Sequence, residues 1–266
     1  MLALRNTGST MNKELQSLVE HWVRPEIRAI SAYHVADAGG LIKLDAMENP
    51  NVWPEVLRRE WLALLSSVDV NRYPDPQAAE LKQRLREAMD IPSDMSLLLG
   101  NGSDEIIQMI IMALAGPGRT VLSVDPGFVM YRMIAAFCGV KYFGVPLRSE
   151  DFSLDTPALM QAMEEHNPAV VFLAYPNNPT GNLFAERDLL QVIESAPGLV
   201  VIDEAYAPFT DATFMDRLGR FNNLVVMRTL SKMGLAGLRL GYLAGSPAWL
   251  DEFAKVRMPY TTTVLT

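Results

Sequence analysis

The stretch VVFLAYPNNPTGNLFAERDLLQVIESAPGLVVIDEAY, residues 170–206, decides the fold. It opens on an unbroken apolar run at 170–174 and breaks in a Pro/Asn/Gly turn. It resumes as a helix-period segment at 186–196 and returns to a second apolar run at 199–202. Short apolar runs bounded by turn residues suit parallel strands buried on both faces. The same alternation continues outward. Upstream, LIKLDA at 41–46 reads as a strand, followed by helices at 54–66 and 76–89, each opened by a proline suited to a first helical turn. A short strand at 97–99 precedes a helix at 104–115, and strands at 120–124 and 140–145 interleave with helices at 129–137 and 156–166. Downstream come strands at 224–227 and 241–245 and a helix at 247–257. Strands and helices in this order predict an α/β domain on a mostly parallel sheet.

Composition narrows the function classes. The 266 residues are 49% hydrophobic and 20% charged, which excludes a disordered or collagen-like chain. The formal net charge of −8 argues against nucleic acid, whose binding needs clustered positive charge. The most apolar window, 106–115, is half the length of a membrane span and contains Gln108. One cysteine, Cys138, forms no internal disulfide, as expected of a reducing, cytoplasmic setting. The first residues lack a secretory apolar core, and Met11 is an alternative start that makes the first ten a disordered lead.

In parallel sheets, sites form beyond the carboxyl ends of the strands. Five such ends carry polar chemistry: GNGSDE (100–105), DPGF (125–128), YPNNPTG (175–181), DEAY (203–206) and TLSK (229–232). GNGSDE is a glycine turn opening a helix. It suits either an anion on backbone amides at Gly102, Ser103 and Asp104 or a plain cap by Ser103. Asp203 ends a wholly apolar strand, where a carboxylate is paired, hydrogen-bonded or functional. The three histidines, His21, His34 and His166, lack ligand spacing, so no metal is expected. Lys232 lies among hydroxyls and glycines and suits a phosphate or a Schiff-base amine, and Arg239 suits a phosphate. Asn178 presents a carboxamide from a turn. An Asp for a pyridinium nitrogen, a Lys amine and an anion nest together compose a pyridoxal-phosphate site.

YPNNPTG, DEAY and TLSK in this order resemble the fold-type I aminotransferases. LDAMENP (44–50), NRYPDP (71–76) and GNGSDE narrow the resemblance to the histidinol-phosphate aminotransferase group, from about Arg24 to the last residue. The resemblance implies a three-layer sandwich with a mostly parallel central sheet and a partial smaller domain from the chain ends. Its divisions would be an N-terminal arm and part of the small domain (1–40), a large cofactor domain (41–246) and the start of a C-terminal small domain (247–266).

It further implies pyridoxal 5'-phosphate on Lys232, with Asp203 on the ring nitrogen and Phe128 on the ring face. Asn178 and Tyr206 would hold the phenolic oxygen. Ser103, Asp104, Thr229, Ser231 and Arg239 would hold the phosphate, across a Lys232-to-Arg239 loop one residue shorter than in some relatives. Tyr73 would reach the partner's phosphate in a homodimer with shared sites, and Tyr33 and Asn49 would contact substrate. The implied reaction exchanges the amino group of histidinol phosphate with 2-oxoglutarate. An aromatic-amino-acid aminotransferase or a threonine-phosphate decarboxylase on the same scaffold remains open. The family continues past TTTVLT into a segment carrying an arginine for the substrate anion, so a catalytically weak cofactor-binding fragment is a third expectation.

Overall fold

The computed structural model describes residues 7–34, 37 and 39–263. The chain divides into two compact units, Met1–Lys43 and Leu44–Thr266. The first contains helices α1 (Thr7–Trp22) and α2 (Pro25–Arg28). Residues 7–10 are therefore helical and not a disordered lead; residues 1–6 lie outside the described residues.

The second unit begins with α3 (Glu55–Leu65), which buries none of its residues, and α4 (Ala79–Ala88). The helix expected from residue 76 starts three residues later. The Asp75 carboxylate accepts the backbone N–H groups of Gln77 and Ala79, and Ala78 takes a left-handed conformation, so a local turn competes with the first helical turn. Among the described residues seven strands follow, β1 (Ser96–Asn101), β2 (Thr120–Asp125), β3 (Lys141–Pro146), β4 (Val170–Ala174), β5 (Leu199–Asp203), β6 (Leu224–Thr229) and β7 (Leu240–Gly245). They form one sheet in the order β1-β7-β6-β5-β4-β2-β3, with β7 antiparallel to both neighbours and the other pairs parallel. The strand expected at 41–46 is absent. Its apolar residues Leu41, Ile42 and Leu44 are exposed, and a strand exists only where another backbone completes its ladder.

Helices cover both faces. Leu159 and Met163 of α7 (Thr156–His166) and Leu189, Val192 and Ile193 of α8 (Glu186–Ser195) pack with Val200 and Ile202 of β5 on one side. On the other, α5 (Ser103–Leu114), α6 (Val129–Cys138) and α9 (Pro247–Ala254) pack Ile106, Tyr131 and Phe253 with Leu199 and Val201. The period-two alternation along β5 thus feeds two cores, and this second unit builds a three-layer sandwich. It also means that Asp203 and Glu204, consecutive at the end of β5, leave toward opposite faces.

Candidate active site

The strand-end loops converge on a cleft of about 220 Å³. Its walls include Phe128, Asn178, Asp203, Tyr206, Lys232 and Arg239, with Ser103, Asp104, Thr229 and Ser231 at the anion end. The structure thus brings together all but four of the site residues named from the sequence. Gly102 frames the turn at Arg239 without lining the cleft. Tyr73 is 78% exposed and stacks on Tyr260, with ring centroids 4.3 Å apart. Asn49 packs beside Gly234, two residues past Lys232, where a Cβ on the glycine would lie 2.9 Å from its amide nitrogen. Tyr33 belongs to the first unit and is exposed. Ala46 and Glu48 also line the cleft, and the Lys232 ammonium donates to the Ala46 carbonyl.

The register places Asp203 opposite Ala174 of β4 and Met227 of β6, between the YPNNPTG and TLSK loops. Only 3% of Asp203 is exposed. Its Oδ2 accepts from the Tyr131 hydroxyl at 2.6 Å and its Oδ1 from the Ala205 N–H at 3.0 Å. Burial lifts its pKa to about 6, against the pull of those two donors. Among the described residues no lysine or arginine forms an ion pair with it. Asp203 is therefore neither a helix cap nor half of an internal salt bridge.

Asn178 donates to the Tyr206 hydroxyl at 2.9 Å, and the Lys232 ammonium lies 5.6 Å from the Tyr206 ring centre. Buried Asn177 ties this turn to the next loop by donating to the Pro126 carbonyl at 3.1 Å. At the other end, Thr229 and Ser231 share a hydrogen bond of 2.9 Å, and the Ser231 N–H donates to Thr229 Oγ1. The cap of α5 is Gly102, at φ +80°, and not Ser103, which is the first helical residue. That backbone conformation favours glycine, and a Cβ on Gly102 would lie 2.5 Å from the Arg239 guanidinium, which would have to shift. Arg239 lies against a helix N-terminus, where two positive features meet and Asp104, 4.0 Å away, faces them. Burial holds the Asp104 carboxyl above its ordinary value while Arg239 and Lys232 pull it down.

This donor set fits pyridoxal phosphate. The buried carboxylate lacks a cation, as a site for a protonated ring nitrogen requires. The glycine turn, hydroxyls and arginine suit a phosphate, and Phe128 supplies an apolar wall. Two features escape a reading of the sequence. Tyr131 stands three residues after Phe128 and reads as helix core. Glu204 is fully buried and ion-paired with Arg228 at 2.6 Å on the far side of the sheet. No sequence signal distinguishes its role from that of its neighbour.

Residues 40–266 match the family model described as aminotransferase class I and II. The chain is 60% identical over 248 residues to histidinol-phosphate aminotransferase 2 of Nitrosococcus oceani, covering 93% of this chain and 69% of that protein. It is 55% identical over 248 residues to histidinol-phosphate aminotransferase of Chromobacterium violaceum, with the same coverage. Among solved structures, histidinol-phosphate aminotransferase from Sinorhizobium meliloti in complex with pyridoxal-5'-phosphate superposes with a TM-score of 0.76 at 24% identity, covering 92% of this chain and 68% of that one. Sheet order, strand-end chemistry and sequence kinship agree that the chain belongs to the class I and II aminotransferases, within the histidinol-phosphate aminotransferase group.

Proposed function

We propose that the chain transfers the amino group of histidinol phosphate to 2-oxoglutarate, using pyridoxal phosphate held in the cleft. The observation that carries this reading is a buried carboxylate without a cation, Asp203, in the same cleft as the Lys232 amine and the Gly102/Arg239 anion nest. Bound pyridoxal phosphate supplies the electron sink that makes the substrate Cα proton acidic. The protein residues do the rest. Asp203 holds a positive charge at the ring nitrogen, and Phe128 shields one face of the ring from water. Asn178 and Tyr206, already bonded to each other, offer donors to the phenolic oxygen. Ser103, Asp104, Thr229, Ser231 and Arg239 anchor the phosphate through amides, hydroxyls and guanidinium. The Lys232 amine then holds or delivers the proton at the substrate Cα. Gly102 gives that anchor its close backbone approach.

Tyr73 does not line the cleft of its own chain, which supports a homodimer in which it serves the partner's phosphate site. Tyr33 and Asn49 are assigned to the substrate side. Among the described residues no helix is long and apolar enough to cross a membrane, and the assignment to the cytoplasm is made with the reaction. Turnover of a donor panel with added cofactor tests the proposal. Histidinol phosphate should outperform phenylalanine and threonine phosphate, with borohydride fixing the cofactor on Lys232. Preference for another donor, or fixation on another lysine, defeats it.

A further inference from the structure

We propose that Tyr131 is the positioning residue of the cofactor carboxylate: its hydroxyl holds Asp203 ionised and aimed into the cleft. The inference rests on the function proposed above and adds a residue to it. Tyr131 is 1% exposed and sits on the first turn of α6. Its N–H donates to the Phe128 carbonyl at 3.2 Å, so one helical turn carries both the aromatic wall of the cleft and the donor behind it. The Tyr131 ring stacks on Phe172 of β4 at 4.8 Å and meets Phe128 edge-on at 5.4 Å. That packing leaves its hydroxyl one place to go, the Asp203 Oδ2 at 2.6 Å.

The direction of the effect follows from two proton placements. A carboxylate facing a ring nitrogen shares one proton with it, which sits either on the ring or on the carboxyl. Burial of Asp203 favours the neutral carboxyl, as do the negative charges of Asp104 and Glu204. Tyr131 and the Ala205 N–H are the two donors that oppose this, because each bonds best to an ionised oxygen. Oδ1 has a backbone donor that side-chain changes other than proline leave in place, whereas Oδ2 depends on one side chain. The Tyr131 hydroxyl is itself pushed well above its ordinary pKa, by burial and by Asp203, so it stays a donor. Tyr131 thus sets which side of the shared proton the protein favours, without touching substrate.

The test uses Tyr131→Phe in the 266-residue chain, reading pyridoxal-phosphate affinity and the NMR shift of the isotope-labelled ring nitrogen. The bond stands before the cofactor binds, so its loss acts through easier protonation of Asp203 and predicts a dissociation constant raised by about three- to tenfold at neutral pH. It also predicts a ring-nitrogen signal moved toward its neutral position. In an Asp203→Asn background the same change should alter affinity by less than about twofold, because no charge remains to hold. A lower melting temperature of the cofactor-free variant, with affinity and ring signal unchanged, makes Tyr131 only a packing residue and overturns the inference. Should Tyr131→Phe not fold, 3-fluorotyrosine at 131 replaces it. A fluorine signal that shifts on cofactor binding in the parent but not beside Asp203→Asn supports the coupling, and an equal shift in both overturns it. Failure of the parent to take up cofactor on Lys232 overturns the function proposed above and this inference with it. Uptake with an unaltered Tyr131→Phe overturns this inference alone.

Discussion

Asp203 and Glu204 are consecutive, chemically alike and both buried, yet the two sides of the sheet treat them differently. Glu204 turns into the face lined by Phe214 and Met215. There Arg228 from β6 donates twice to Oε2, at 2.6 and 2.8 Å, while Thr213 and the Phe214 N–H complete the other oxygen. Its charge is balanced within the fold. Asp203 turns toward α6 and receives two donors but no cation, so burial raises its pKa to about 6. A buried charge that the protein neutralises is part of the scaffold. One that it leaves open is a binding site awaiting a cation.

The largest expected effect breaks the scaffold side. Arg228→Ala leaves Glu204 buried and unpaired, and should destabilise the chain by about 3–5 kcal/mol in denaturant unfolding. Whatever fraction stays folded should bind pyridoxal phosphate with parent affinity, since Arg228 does not line the cleft. An unfolding midpoint within error of the parent would mean that the Arg228–Glu204 pair adds nothing to the fold.

Asp203→Asn inverts the pattern. The amide keeps the shape and removes a costly buried charge, so stability should hold or rise. Turnover should fall by about 10²–10³-fold, the range for losing one preorganised electrostatic partner. A stability loss as large as that of Arg228→Ala would erase the contrast between the two carboxyls.

Acidity sharpens the comparison next. With a folded pKa of about 6 against an ordinary 3.8, Asp203 keeps its proton in the fold over a range where the unfolded chain has lost it. The unfolded state then binds fewer protons, so stability falls as pH rises from about 4 to about 6. The stability of the cofactor-free parent relative to Asp203→Asn should therefore decline across that window, by at most about 3 kcal/mol. Bound cofactor should flatten the slope, because a cation beside the carboxylate draws its pKa back down. Parallel curves for the two proteins would show that Asp203 titrates alike folded and unfolded.

Much of this contrast is legible along the chain, because apolar runs announce strands and polar residues at their ends announce chemistry. Asp203, Lys232 and the Gly102 turn stand out for that reason. What stays hidden is set by contacts between distant segments. The run at 41–46 has strand composition but joins no strand ladder among the described residues. Tyr131 is seventy-two residues from Asp203, and only the passage of α6 over the end of β5 joins them. Glu204 differs from Asp203 by one step of strand alternation, which no composition records. Ser103 looks like a cap, whereas Gly102, at φ +80°, takes that place and Ser103 becomes the first helical residue.

The smallest effect belongs to a neutral pair on the open side. Asn178 and Tyr206 are joined at 2.9 Å across the cleft mouth, and both also line a neighbouring pocket with Leu44, Met47 and Phe209. Tyr206→Phe deletes one neutral hydrogen bond at a partly buried site, for which about 0.5–1.5 kcal/mol is the usual net value. The Asn178 amide then keeps access to water, so the melting temperature should barely move. Cofactor affinity should fall by about two- to tenfold, as expected if the hydroxyl also serves the phenolic oxygen. The loss should be the same at pH 5 and pH 8 once normalised to the parent, since no ionisation in that range is removed. A loss that grows toward acid would tie Tyr206 to the titration of Asp203, consistent with burial and Asp203 together raising the pKa of its hydroxyl. The open side would then act as one coupled group around that carboxylate.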